Sequence, residues 1–116
     1  IFGAFAEAEC IGLCGFIRGR RKKTSHQGDL IQMYVAKDLQ GKGIGRKLMQ
    51  LVMDEAFNIL GLEQVTLGVV VTNNAASNLY EDMGFIEYGC YKNFFKTATG
   101  YLDQRLMICR KQDLLY

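Results

Sequence analysis

The chain has 116 residues and a formal net charge of +2, with 49% hydrophobic and 22% charged residues. These proportions are typical of one globular domain, which we expect to span residues 1–116, and so small a charge does not indicate a nucleic-acid partner. No apolar run reaches the roughly 18 residues of a membrane helix. The four cysteines are Cys10, Cys14, Cys90 and Cys109. They lack the spacing of a metal site and the density of a disulfide scaffold. We therefore expect free thiols in a cytoplasmic protein that holds no metal.

Three strand-like segments open the chain. Apolar residues alternate with small or polar ones from Phe2 to Ala8, and more loosely from Ile11 to Ile17, which predicts a hairpin. A basic loop from Gly19 to Gly28 then leads to a third strand over Leu30–Val35. The loop holds the single histidine, His26, without metal ligands at coordinating spacing or interleaved aromatic residues, so we expect a solvated hairpin tip.

A glycine-rich turn follows the third strand. Gly41, Gly43 and Gly45 alternate with larger residues, which removes side chains that would keep a ligand away from the backbone. The first amides of the next helix have no partner within that helix and can hold a phosphate. Basic residues crowd the positive end of the helix dipole, an unfavourable arrangement unless an anion binds there; they are Lys42, Arg46 and Lys47. The turn therefore predicts phosphate binding, with a plain turn as the alternative.

The first helix is predicted over Ile44–Leu60, because apolar residues recur there at helical spacing. The positions expected to face the core are Leu48, Leu51, Val52, Ala56 and Ile59, and those expected to face solvent are Arg46, Gln50, Asp54 and Asn58.

The second half of the chain predicts a strand, a helix and two further strands. Val65–Val71 is a short β-branched run. The Asn73-Asn74 pair is an N-cap signal for a second helix with the stripe Ala76, Leu79, Tyr80 and Met83, and Gly84 is a natural stop. Ile86–Phe95 and Tyr101–Cys109 complete the order β-β-β-α-β-α-β-β. This order predicts an α/β (α+β) fold, in which helices flank a mixed, mostly antiparallel central sheet.

Three kinds of glycine loop could hold the phosphate. A Walker A loop is excluded because Gly45 is not followed by Lys and Ser or Thr, and a dinucleotide fingerprint fits weakly because Arg46 stands where its last glycine belongs. The third is Gln40-x-x-Gly43-x-Gly45, which resembles the acyl-CoA pyrophosphate loop of the GNAT superfamily of N-acetyltransferases. Downstream, Asn73-x-x-Ala76-x-x-Leu79-Tyr80-x-x-x-Gly84-Phe85 resembles the second signature of that superfamily.

The resemblance implies a GNAT-like fold without its first strand and helices, acetyl-CoA as co-substrate, and roles for the matching residues. Tyr80 would be the general acid that protonates the departing sulfur, since a phenol usually has a higher pKa than a thiol. Asn73 would contact the pantetheine arm or cap the second helix. The expected acetyl-CoA contacts are the backbone of Met33, Tyr34 and Val35, the pyrophosphate loop of Gln40, Gly41, Lys42, Gly43, Ile44, Gly45 and Arg46, and Asn73, Ala76 and Tyr80 of the second signature.

Two of these roles have structural alternatives, and the general base is open. Tyr80 also completes an apolar helix stripe, and Asn73 suits a helix cap. Many family members carry a glutamate at the position of Gly68, so that base is missing. Other members use a carboxylate near the start of the third strand, which matches Asp29; a strand-end turn is the favoured alternative for this residue, and solvent is the rival base.

The sequence as a whole predicts an N-acetyltransferase that moves an acetyl group from acetyl-CoA to a primary amine by direct attack in a ternary complex. The acceptor is expected to be a small or amino-acid-like molecule, with a protein amino group as the second choice. A non-catalytic acyl-CoA sensor is the alternative of another class. No membrane or nucleic-acid partner is expected, and homodimer formation stays open.

Overall fold

The computed structural model describes residues 2–6, 9–18, 25–35 and 43–115, with side chains over 25–30 and 43–115. Helices and strands follow one another in the predicted order, which gives a mixed α/β fold. The chain forms two compact units, Ile1–Val65 and Thr66–Tyr116.

The first unit begins with three strands, β1 (Phe2–Ala6), β2 (Glu9–Arg18) and β3 (Gln27–Val35). Both strand pairs are antiparallel, which confirms the predicted hairpin. The third strand starts three residues earlier than predicted. Between β2 and β3 the register shifts so that Gly15 pairs with Gln32 and Phe16 with Leu30, leaving Ile31 as the extra residue of a β-bulge.

The first helix, α1 (Ile44–Asp54), continues as a π-helical segment over Glu55–Ile59. The wider turn is visible where the amide of Leu60 donates to the carbonyl of Glu55, five residues back, at 2.9 Å. The segment ends the helix close to the predicted Leu60, and Gly61 follows in a left-handed conformation with φ +68°.

The buried face of this helix differs from the prediction at two positions. Leu51 is 53% exposed and Ile59 is 65% exposed, so their assignment to the core was wrong. Successive residues of a helix project in directions about 100° apart. The face of α1 that contacts the core contains Val52 and Met53, and Leu51 projects away from it. The buried residues are Leu48, Met49, Val52, Met53, Ala56 and Phe57.

The strand β4 (Gln64–Val70) spans the boundary between the two units and has one buried and one open face. Val65, Leu67 and Val69 are buried, whereas Gly68 between them is exposed. This alternation is typical of a strand covered on one face only.

The second unit continues with α2 (Asn74–Asp82), β5 (Ile86–Thr97) and β6 (Gly100–Arg110). Within this unit β6 lies between β4 and β5. Strands β5 and β6 are antiparallel and joined at Ala98-Thr99, so the predicted final hairpin is confirmed with longer strands.

Gly84 ends α2 as predicted, and two features of the backbone require a glycine there. Its φ is +107°, a conformation that side chains disfavour, and a Cβ atom would collide with the carbonyl oxygen of Asp113. Asp113 belongs to a short 3-10 helix, Lys111–Asp113. The amide of Leu115 then donates to the carbonyl of Met83 at 3.1 Å, which fixes the C-terminal residues against the end of α2.

Candidate active site

Gly43 is the N-cap residue of α1. Gly43 has φ +79° and ψ +6°, in the left-handed region, and no side chain accepts a hydrogen bond at this cap. A Cβ atom on Gly43 would meet nothing within 4 Å. The backbone conformation, and not a lack of space, therefore favours glycine here, and the absence of a side chain keeps the helix end open. The predicted contacts Gln40, Gly41 and Lys42 lie outside the described residues.

The charges at this helix end suit an anion. The first turn of α1 has no acidic residue, although acidic residues are the usual complement of the positive dipole end. Arg46 and Lys47 are both exposed, while Ile44 and Gly45 are half-buried. An anionic group at this end would complement both the dipole and the two cations, so the described residues fit a phosphate.

The backbone predicted to bind the pantetheine arm lies at the end of β3. Met33, Tyr34 and Val35 pair there with Cys14, Leu13 and Gly12 of β2. The structure describes their backbone but not their side chains, and the predicted binding role concerns the backbone alone.

The candidate base Asp29 is an exposed residue of β3, opposite Ile17 of β2. The turn before the strand is formed by Ser25 and His26, so the interpretation of Asp29 as a turn former was wrong. Glu63 approaches this turn, where its backbone amide donates to the carbonyl of His26 at 2.7 Å. Asp29 is thus an exposed carboxylate held on a strand, and its role as a base stays a prediction.

Asn73 caps α2 with its side chain. The Oδ1 atom of Asn73 accepts a hydrogen bond from the backbone amide of Ala76 at 3.1 Å, which confirms the predicted cap. Both Asn73 and its amide donor are at least partly exposed, and their predicted contacts with acetyl-CoA stay predictions.

Tyr80 lies on the buried side of α2 with only 5% of its surface exposed. Its ring centroid is 5.9 Å from that of Phe85, and the two rings are tilted by 58°. Its backbone carbonyl accepts a hydrogen bond from the Phe85 amide at 3.0 Å. These contacts hold the ring in one place, as a core aromatic and a positioned general acid both require.

An ion-pair cluster that the sequence analysis missed ties α2 to the final strands. Arg105 of β6 donates from Nη1 to Glu81 at 2.8 Å and from Nε to Glu87 at 2.5 Å. Hydrogen bonds with Glu81 and Glu87 raise the pKa of the Arg105 guanidinium. Because Glu81 follows Tyr80 directly, the cluster holds the part of α2 that carries the candidate acid.

A side chain of β6 lies over Gly68, the position at which the family resemblance implies a glutamate base that this sequence lacks. A Cβ atom on Gly68 would collide with the side-chain amide nitrogen of Gln104, which lies over it from β6. The sequence analysis missed this contact, since no local pattern relates two residues on different strands.

The described ranges contain neither a cluster of metal ligands nor a helix that could span a membrane. Within residues 2–6, 9–18, 25–35 and 43–115, histidine, cysteine and acidic residues form no group of three that could hold a metal. No helix in the same ranges combines the length and apolar character needed to cross a bilayer.

The chain is similar to known acetyltransferases in sequence. A family model described as the Acetyltransferase (GNAT) family matches residues 1–85. A spermidine N(1)-acetyltransferase of Vibrio cholerae is 37% identical over 82 residues, which are 71% of this chain and 47% of the relative. A [ribosomal protein bS18]-alanine N-acetyltransferase of Salmonella typhimurium is 35% identical over 81 residues, 70% of this chain and 54% of the relative. The chain therefore spans about half the length of these relatives.

Solved structures show the same likeness over more of the chain. A GNAT-family acetyltransferase from Streptococcus pneumoniae superposes with a TM-score of 0.86 at 27% identity, covering 93% of this chain and 64% of the other. A ribosomal-protein-alanine N-acetyltransferase from Brucella melitensis gives a TM-score of 0.82 at 27% identity, covering 93% and 66%.

Proposed function

The chain belongs to the GNAT family of acetyltransferases, and on that premise we propose that it transfers an acetyl group from acetyl-CoA to a primary amine. The acceptor attacks directly, in a ternary complex, and residues 1–116 act as one catalytic domain. The observation that carries the proposal is the N-terminus of α1, where a left-handed Gly43 opens a helix without any acidic residue in its first turn.

That helix end supports binding of the co-substrate through its pyrophosphate. The first-turn amides and the exposed Arg46 and Lys47 supply donors and positive charge for two phosphate groups. Gln40, Gly41 and Lys42 supply the remaining groups of the proposed cradle. The backbone of Met33–Val35 pairs with the pantetheine arm as an added strand would, and Asn73 and Ala76 contact the arm at the start of α2.

The proposed reaction assigns a proton transfer to each of two side chains. The lone pair of the acceptor nitrogen forms a bond to the acetyl carbon, and the carbon–sulfur bond breaks. Tyr80 gives its phenolic proton to the departing sulfur and regains one from solvent. The extra proton on the nitrogen passes to Asp29 or to water. A backbone amide near Val35 stabilises the oxyanion of the tetrahedral intermediate.

The two kinds of relative support two acceptor classes. One is named for spermidine and the other for an alanine of a ribosomal protein, and both acceptors carry a primary amino group. We propose a small amine as the first choice and a protein amino group as the second. The relative that modifies a ribosomal protein supports a cytoplasmic setting.

Turnover and binding together separate the enzyme from a non-catalytic sensor. Release of the free thiol from acetyl-CoA is measured with spermidine, an alanine-terminated peptide and a free amino acid. We expect turnover with at least one of them. Tight binding of acetyl-CoA without turnover would select the sensor instead, and the absence of both would overturn the proposal.

The variant Tyr80→Phe tests the general acid. Phenylalanine keeps the ring beside Phe85 and removes only the proton donor, so we expect kcat to fall by about 10²-fold or more while acetyl-CoA affinity is unchanged. Tyr88→Phe is the matched control, because Tyr88 is 56% exposed in the same unit. Unaltered turnover in Tyr80→Phe would remove Tyr80 from the mechanism and leave it a core aromatic.

A further inference from the structure

The open face of β4 has a gap in its row of side chains. Gly68 is exposed on this face, between the half-buried Thr66 and Val70. The side chain of Gln104, on the neighbouring strand β6, lies over the gap so closely that a Cβ atom on Gly68 would collide with its amide nitrogen. The glycine therefore provides the place in which the Gln104 carboxamide rests.

The carboxamide has unused hydrogen-bonding capacity. Gln104 is half-buried, and in the described part of the chain its side chain makes no hydrogen bond. A carboxamide offers two donors and an accepting oxygen. Because no buried side-chain nitrogen or oxygen among the described residues lacks a partner, the polar atoms of this carboxamide are reached by water, which a ligand can replace. The group is thus available to a molecule that approaches the open face.

An aromatic ring stands beside it. Tyr91 of β5 is the direct cross-strand partner of Gln104, so both side chains project from the same face of the sheet. Tyr91 is 55% exposed. A carbonyl oxygen accepts hydrogen bonds from an amine or ammonium group, and a tyrosine ring attracts a cation through its face. Together they suit an amino group.

The charged residues near Gln104 belong to the other face of the sheet. Arg105 binds both Glu81 and Glu87 on the side of α2. From β4, the residues that share the face of Gln104 are Thr66, Gly68 and Val70, and from β5 the residues are Gly89 and Tyr91. Among Thr66, Gly68, Val70, Gly89 and Tyr91, only Tyr91 carries a titratable group. Gln104 can orient an amine there, but a carboxamide cannot take its proton.

From these contacts we infer that Gln104, seated over Gly68, binds the amino group of the acceptor and orients it for attack, with Tyr91 beside it. The inference rests on the proposed function, because it names a specificity residue for that reaction. It gives a neutral carboxamide the role of orienting the amine, and it leaves the proton of the amine to Asp29 or to water.

The first test removes the carboxamide without removing its bulk. In Gln104→Met we expect the KM for the best acceptor of the panel to rise about tenfold, the loss of one good hydrogen bond, while the KM for acetyl-CoA stays unchanged. Gln112→Met is the matched control, because Gln112 is an exposed glutamine of the same unit. Equal acceptor KM values in Gln104→Met and the wild type would overturn the inference.

The second test moves the carboxamide without replacing it. In Gly68→Ala the added methyl group meets the far end of a flexible side chain, so we expect the carboxamide to swing away and the fold to survive. The acceptor KM should rise as in Gln104→Met. In a Gln104→Ala background, Gly68→Ala should not raise the acceptor KM any further, because no carboxamide is left to displace.

The two proposals fail in different ways. If the wild type turns over no amine of the panel, the proposed function fails and takes the inference with it. If the wild type is active but the Gly68 and Gln104 changes are additive, or shift both KM values equally, the function stands and the role of Gln104 is refuted. A change in thermal stability without a change in the acceptor KM would also refute it.

Discussion

The Oδ1 atom of Asn73 lies 3.1 Å from the backbone amide nitrogen of Ala76 and closes the N-terminus of α2. A cap of this kind contributes about 1 kcal/mol, since it pairs an amide that the helix itself cannot satisfy. We expect Asn73→Ala to lower the free energy of unfolding by that amount in denaturant titration. Asn78→Ala, at an exposed position inside the same helix, should not lower it. Equal losses in both variants would contradict the cap.

Alanine substitutions at Gly43 and Gly61 separate the effect of a glycine on stability from its effect on acetyl-CoA binding. Both have positive φ, +79° and +68°, and a Cβ atom would meet nothing within 4 Å at either. Alanine at either position should therefore cost about 1–2 kcal/mol of stability through backbone strain. Only Gly43→Ala should also weaken acetyl-CoA binding, because only Gly43 lies at the proposed phosphate cradle.

The binding half of this prediction is measured by calorimetry with acetyl-CoA. Loss of affinity in both variants to the same degree would mean that destabilisation alone reduces binding, and the α1 terminus would lose its assigned role.

The pH dependence of turnover tests whether Asp29 is the general base. If it takes the proton of the amine, Asp29→Asn should lower kcat by about 10²-fold or more and alter the acidic limb of the pH profile. Glu63→Gln removes another exposed carboxylate of the first unit and should leave the profile intact. An unaltered profile in Asp29→Asn would assign the proton to water.

Cys109 should make the protein less stable in alkaline solution. The residue is fully buried, and burial, with a smaller effect of the Asp113 carboxylate, raises the pKa of its thiol from 9.0 to about 11. Between these values the unfolded chain loses a proton that the folded chain keeps, so the stability from this group is complete below pH 9 and declines towards pH 11.

The measurement compares unfolding curves at pH 8 and pH 10.5 in three proteins. The decline should be smaller in Cys109→Ala than in the wild type, whatever the packing cost of the substitution, because only the difference between the two pH values counts. Cys90→Ala removes an exposed thiol and should keep the full decline. An equal decline in all three proteins would show that Cys109 does not contribute.

The elements of the fold could be predicted because local signals mark them. Asn73 and Gly84 bound α2 through a side-chain cap and a left-handed backbone, and neither requires a distant partner. The core face of α1 was less predictable. Leu51 and Ile59 have apolar side chains at helical spacing, but which face of the helix is buried depends on the elements that pack against it. In the structure that face contains Met49 and Met53 instead.

The candidate site divides in the same way. Gly43, Asn73 and Tyr80 belong to two continuous motifs, so their spacing along the chain was enough to assign them a chemistry. The contact of Gln104 with Gly68 joins residues 36 positions apart on different strands, and the pairing of Arg105 with Glu81 joins a strand to a helix. Such contacts depend on strand order and register, which no local pattern encodes.

By itself, the sequence determined the order of helices and strands, the glycine-opened helix end and the family, because hydrophobic periodicity, caps and glycine positions act over a few neighbouring residues. Only the tertiary structure decided which side of α1 is buried, that Tyr80 is held against Phe85, and that a carboxamide fills the gap above Gly68. These features arise where side chains distant in the chain compete for the same space, and that competition is settled only when the strands pair and the helices pack.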